Sequence, residues 1–217
     1  MRLFEITESA EDTSELVSIA TKIARGILAQ ADSLEDRDHI GRVSNYTTTM
    51  NNLPAEFYRT EIKMSSKLGS LNAQETIIYS GGKPQIEIKL STELLDGEED
   101  EVISTITHEL RHALDDAKSE FRMKDRTNKY TRPKAGDDGG YWSKPFEINA
   151  RITQAAHELA HQIQTNGIDE EEPLEQQIDA YLSINQVVKY LKGGKNSKDY
   201  KRAVNRVYTY LKHKNLV

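Results

Sequence analysis

Four of the six histidines fall into two copies of one pattern, His108-Glu109-Leu110-Arg111-His112 and His157-Glu158-Leu159-Ala160-His161. On a helix, residues four apart are separated by about 40° of rotation and one turn, so the two imidazoles of a copy face one small cation. The Glu beside the first His then reaches water at that cation without ligating it. This is the arrangement of metal-assisted hydrolysis: zinc acidifies the water, and the carboxylate takes its proton and later passes it to the leaving amine. Cysteine is absent. Disulfides, thiolate nucleophiles, zinc fingers and iron–sulfur clusters are therefore excluded, and any metal must be held by His, Asp or Glu.

A catalytic zinc needs a third protein ligand. For the first copy the candidate is Glu147, 35 positions beyond His112. Pro145 marks a helix start, which puts Glu147 in the first turn, where the positive end of the helix dipole keeps a carboxylate ionised. His157 lies ten residues further on, about 15 Å at the helical rise, too far to share an ion with Glu147. The second copy would need its own donor, for which Glu171, Glu172, Glu175 and Asp179 are candidates. Both His pairs lie roughly opposite the apolar stripe of their helix, so helical geometry does not separate the copies. Context favours the first, which follows a β-hairpin and leads into a long glycine-containing segment. The second sits inside a plain amphipathic helix, where the simpler reading is an exposed polar face. That neither copy holds metal stays open at this point.

The elements that must position these residues follow from periodicity. Leu16, Ala20, Ile23, Ile27 and Gln30 predict a helix over 13–30, with Asp12 and Glu15 as a capping pair. Alternation at Tyr58, Thr60, Ile62 and Met64, at Thr76 to Tyr79, and at Ile86, Ile88 and Leu90 predicts three strands. Ser80-Gly81-Gly82-Lys83-Pro84 joins the last two as a hairpin. Val102, Ile103, Ile106, Leu110, Ala113, Leu114 and Ala117 define the apolar face of a helix over 98–118. The period disappears from Ser119 to Lys144, a segment with Gly136, Gly139 and Gly140 that reads as a long functional or disordered loop. Helical spacing resumes at Ile148, Ile152, Ala155, Leu159 and Ile163 and stops at Asn166-Gly167. Two further helices are expected over 172–191 and 198–212. The fold class is α+β: a small antiparallel or mixed sheet with a hairpin packed on the helix of the first copy, then a helical C-terminal part. One domain is expected, with an N-terminal helix and sheet part (1–97), the metal-site helices and loop (98–166), and C-terminal helices with a basic tail (167–217).

The chain has 217 residues, 36% hydrophobic and 29% charged, enough to bury a sizeable core. No apolar run approaches the roughly 18 residues of a membrane span. The opening Met1 to Ile6 has neither a basic nor an apolar signal region, which predicts no cleaved secretory signal. A formal charge of −6 argues against non-specific nucleic-acid binding by the chain as a whole. From Gln186 to Val217, however, nine Lys or Arg face one acid, Asp199. Tyr200, Val204, Val207, Tyr208 and Leu211 recur there at helical spacing, so the tail reads as a docked helix whose lysines face water.

On His108, Glu109 and His112, with Glu147 in Pro145-Phe146-Glu147-Ile148-Asn149-Ala150-Arg151, the chain resembles the zincin metallopeptidases of the gluzincin type. The stretch from His108 to Arg151 also resembles small H-E-L-R-H proteins of tailed bacteriophages that carry a P-x-E-x-N-A-R segment. The resemblance implies zinc held by His108, His112 and Glu147, Glu109 as general base, and a protein or peptide substrate lying along an edge strand, here Gln85 to Leu90. Its phage side implies a cytoplasmic (host-cell) or virion location and phage structural proteins as partners. Tyr141 and Tyr130 are candidates to stabilise the oxyanion. In one respect the chain departs from thermolysin-like gluzincins, which place an Asp four residues after the ligand Glu to orient a ligand His, where this chain has Arg151. Asn149, Asp115 or Asp116 are the candidates to take over that role. Arg111 is likewise charged where many zincins are neutral. The competing expectation is a non-enzymatic, possibly virion, structural or interaction protein that retains a zincin-like fold and uses its basic tail as a contact surface.

Overall fold

The computed structural model describes residues 10–31, 45–46, 60–65, 73–80, 83–118, 145–191 and 193–217. Tyr141, Tyr130 and the rest of the 119–144 segment lie outside the described residues. The chain divides into two compact units, Leu16–Arg126 and Met1–Glu15 with Thr127–Val217, called here the sheet unit and the helical unit. The helices on either side of residue 167 share one core.

Helix α1 runs Ala10–Ala31. Leu16, Ala20, Ile23 and Ile27 are each at most 1% exposed, the burial that their spacing of three and four residues requires. The helix begins before the expected cap, so Asp12 lies inside it, and the true cap falls outside the described residues. Strands β1 (Asn45–Tyr46), β2 (Thr60–Ser65), β3 (Ala73–Ser80) and β4 (Lys83–Ser91) form one sheet of order β1-β2-β4-β3. β3 pairs antiparallel with β4 from Ala73↔Leu90 to Ser80↔Lys83. β2 pairs parallel with the other side of β4 from Thr60↔Ile86 to Ser65↔Ser91. Gln85 to Leu90 is therefore not an edge: β4 has both ladders occupied, and β3 borders the sheet instead. A substrate strand has no free ladder at β4.

A short 3₁₀ turn, Thr92–Asp96, follows β4, with the Ser91 side chain accepting from the Glu93 amide at its start. Helix α2 then runs Glu99–Lys118, and Glu99, Asp100 and Glu101 place negative charge in its first turn, where the dipole favours it. Val102, Ile106, Leu110 and Leu114 pack with Ile88, Leu90, Leu94, Leu95 and the α1 stripe in one buried cluster. Helix α2 also packs on β3. The apolar face of α2 thus fixes its rotation in the sheet unit.

The helical unit is built on α3, Pro145–Asn166. Gly167 beyond its end adopts φ 81°, a left-handed conformation that glycine takes without a Cβ penalty. The single helix expected over 172–191 is two: α4 (Leu174–Ile184) and α5 (Val187–Tyr190). They are separated at Asn185 and Gln186, where Gln186 has φ 60°, which no helical residue can adopt. After a second short 3₁₀ turn, Gly194–Asn196, comes α6 (Lys198–His213), capped by the Ser197 side chain accepting from the Tyr200 amide. Ile152, Ala155, Leu159 and Ile163 of α3 bury with Ile178 and Leu182 of α4 and with Tyr200, Val207 and Leu211 of α6. The basic tail is thus an ordered element with its apolar face in the core. One residue differs from the expected stripe: Tyr208 is 43% exposed, and Tyr210, 2% exposed, is the buried tyrosine of that turn. Among the described residues, no helix is long and apolar enough to cross a membrane.

An ionic link ties α4 to α6. The Tyr200 hydroxyl donates to Asp179 Oδ1 at 2.5 Å, and Lys195 donates to Oδ2. Burial raises the Asp179 carboxyl, but the hydrogen bonds from Lys195 and Tyr200 and the lysine's charge outweigh it and hold the group below its ordinary value of 3.8. A folded value below the unfolded one means that the stabilisation is present above about pH 4 and is lost as the pH falls through the depressed folded value. The expected outcome is that Asp179→Asn is less stable than wild type at pH 6 and that the gap narrows at pH 3. Denaturant melts at both values check it, and an equal gap at both would contradict it.

Candidate metal centre

On α2, one turn brings His108 and His112 together. Their Nε2 atoms are 3.1 Å apart, and the rings meet edge to face with centroids 4.8 Å apart and planes at 84°. Two nitrogens on a tetrahedral zinc, each at about 2.0–2.1 Å, stand about 3.3 Å apart. The pair fits a shared ion to within a few tenths of an ångström. His112 is 8% exposed and Glu109, between the two, also 8%. A low-dielectric setting of this kind strengthens charge interactions at a site.

Arg111, also within the motif, is 2% exposed. Its guanidinium donates to Asp115 Oδ1 at 2.7 Å, one turn along the same helix. The charge that departs from the family pattern is thus neutralised locally by an i,i+4 pair, and Asp115, a candidate to orient a ligand histidine, is engaged by Arg111. The Asp116 side chain lies outside the described residues.

In the helical unit, Glu147 occupies the first turn of α3, as Pro145 requires, and is 1% exposed. A buried carboxylate needs partners. One is Arg151, whose Nε donates to Glu147 Oε1 at 2.9 Å. Asn149 accepts at Oδ1 from Arg206 at 2.9 Å. Burial brings the Arg206 guanidinium down to about 10, still charged near neutrality. Sequence reasoning noted Arg151 only as a departure; its spacing of four from Glu147 was the signal for a helical ion pair.

The second His-Glu copy has a different character. His157 is 8% exposed, not part of an exposed polar face. The correction has a physical cause: α3 is packed against both α4 and α6, so its buried arc is wider than one apolar stripe. Glu158 accepts from Gln154 Nε2 at 3.0 Å through Oε1 and from Asn185 Nδ2 at 2.7 Å through Oε2. The Nδ2 of Asn185 also donates to the Tyr181 carbonyl at 3.1 Å. His161 Nε2 lies 3.3 Å from the Thr165 hydroxyl. Among the described residues, no third His, Asp or Glu accompanies His157 and His161 as a metal-binding group. Of the donors considered for this copy, Asp179 is engaged by Lys195 and Tyr200.

Comparison of the chain with family models, with curated proteins and with solved structures finds no match.

In the second copy, Glu158 holds the Asn185 side chain at the α4–α5 break. Asn185→Ala is expected to lower stability by about 1–3 kcal/mol, the cost of losing hydrogen bonds to a half-buried carboxylate and a half-buried carbonyl, while leaving metal content unchanged. Chemical denaturation and elemental analysis of the same preparation check both halves.

Proposed function

We propose that the chain is a zinc-dependent peptidase of zincin type, in which His108, His112 and Glu147 hold the metal and Glu109 is the general base. The observation that supports this most strongly is the convergence of the two Nε2 atoms at 3.1 Å on α2. Two imidazoles with one carboxylate suit zinc at a catalytic site. A histidine-bearing helix packed on a sheet strand is also what the zincin resemblance implies for the fold.

Zinc, when bound, supplies Lewis acidity that activates water near neutral pH. The chain's own residues do the rest. Glu109, next to His108 in sequence and buried, takes a proton from the attacking water and returns it to the leaving amine. Tyr141 is proposed to steady the developing oxyanion. The substrate class is a protein or peptide, and the phage-like resemblance makes virion proteins the first candidates.

The test is metal content followed by cleavage. Wild type is expected to carry one zinc per chain by elemental analysis; His112→Ala is expected to lose it and Glu109→Gln to keep it. Cleavage of an unstructured protein is expected to fall about 100-fold or more in Glu109→Gln, the usual scale for removing a general base. Zinc retained in His112→Ala would overturn the site. A zinc-loaded wild type that cleaves nothing across a broad screen would favour a non-enzymatic structural or interaction role.

A further inference from the structure

Glu147 does not stand alone. Arg151 donates through Nε to Glu147 Oε1 at 2.9 Å and through a terminal nitrogen to the Asn185 backbone carbonyl at 3.1 Å. The side chains of the ion pair are 2% and 14% exposed for Glu147 and Arg151. The guanidinium carbon also lies 5.9 Å from the Tyr190 ring centroid, within cation–π range. Asn185 in turn is fixed through Nδ2 by Glu158 Oε2 at 2.7 Å, and Glu158 by Gln154 at 3.0 Å. One chain of hydrogen bonds therefore runs from Glu147 to Glu158 of the second His-Glu copy, through the turn between α4 and α5.

We propose that Arg151 is the positioning residue of the Glu147 ligand, engaging Oε1 so that the carboxylate gives the metal no more than one oxygen, with Glu158 and Asn185 as its anchor. The proposal rests on the reading of Glu147 as a metal ligand. Its chemical content is the number of carboxylate oxygens given to the metal. Three protein donors must leave one position open for water, and a chelating carboxylate would fill a further position. A guanidinium fork suits this task because its planar donors are fixed relative to one another, which a lysine ammonium cannot reproduce. The second His-Glu segment then has a use without binding metal: its carboxylate orients the turn that holds Arg151.

The full-length chain tests this with zinc affinity, measured by competition with a chromophoric chelator, and with the visible spectrum of the cobalt(II)-loaded protein, which reports coordination number. Arg151→Lys keeps the charge and is expected to weaken zinc binding about 10- to 100-fold, the usual effect of losing a group that orients a ligand. Its cobalt absorption is expected to weaken as a second carboxylate oxygen enters. Glu158→Gln is expected to shift affinity in the same direction by a smaller factor, and it decides the matter if Arg151→Lys does not fold, as a melt of the metal-free protein would show. Affinity within about twofold of wild type and an unchanged cobalt spectrum in the folded variants would overturn the proposal. Failure of the underlying ligand reading has a different signature: wild type and Glu147→Ala would bind zinc equally, or not at all.

Discussion

One helical turn separates His108 from His112, and everything proposed for this chain depends on that turn being held at a fixed rotation. Two imidazoles on a solvated helix would sample many rotamers, and ordering them would cost conformational entropy at each binding event. Here α2 is anchored by Val102, Ile106, Leu110 and Leu114, which share a buried cluster with β4 and α1. Burial of that stripe sets the orientation of the opposite face. It brings the two Nε2 atoms to 3.1 Å, the preorganisation that the proposed metal site needs.

The helical unit solves a complementary problem, supplying partners to a carboxylate that is nearly removed from water. Glu147 lies at a helix N-terminus and accepts from Arg151, so dipole and guanidinium both offset the desolvation of the charge. Around it, polar side chains link the elements of the unit: Arg206 to Asn149, Asn185 to Glu158, and Lys195 with Tyr200 to Asp179. Each joins elements distant in sequence. Such links specify one packing of three helices that share an apolar core. The repeated His-Glu pattern thus meets different neighbours in its two copies. His108 and His112 face each other on α2, while Glu158 is drawn into the α4–α5 turn.

Much of this was legible in the sequence wherever a helix had one apolar stripe. The stripes of α1 and α2, the start of α3 at Pro145 and its end at Gly167 all follow from local rules of spacing and capping. What was not legible depended on partners elsewhere in the chain. The central position of β4 arises from a parallel pairing with β2, which no local pattern encodes. The break between α4 and α5 contains neither glycine nor proline; Gln186 takes a left-handed conformation that its type does not announce. His157 read as exposed because one stripe was assumed for α3. The run of small residues Ala155, Ala156 and Ala160, each at most 3% exposed, was the available sign that neighbours approach on more than one side. Tyr141 was chosen on residue type alone and lies in the 119–144 segment, outside the described residues.

The central claim, that the first His-Glu segment and not the second holds zinc, is tested most directly by anomalous diffraction at the zinc absorption edge from crystals of the purified chain. The account predicts one anomalous peak, within about 2.0–2.1 Å of the Nε2 atoms of both His108 and His112. A peak between His157 and His161, or none at His108 and His112 in protein that elemental analysis shows to contain zinc, would contradict it.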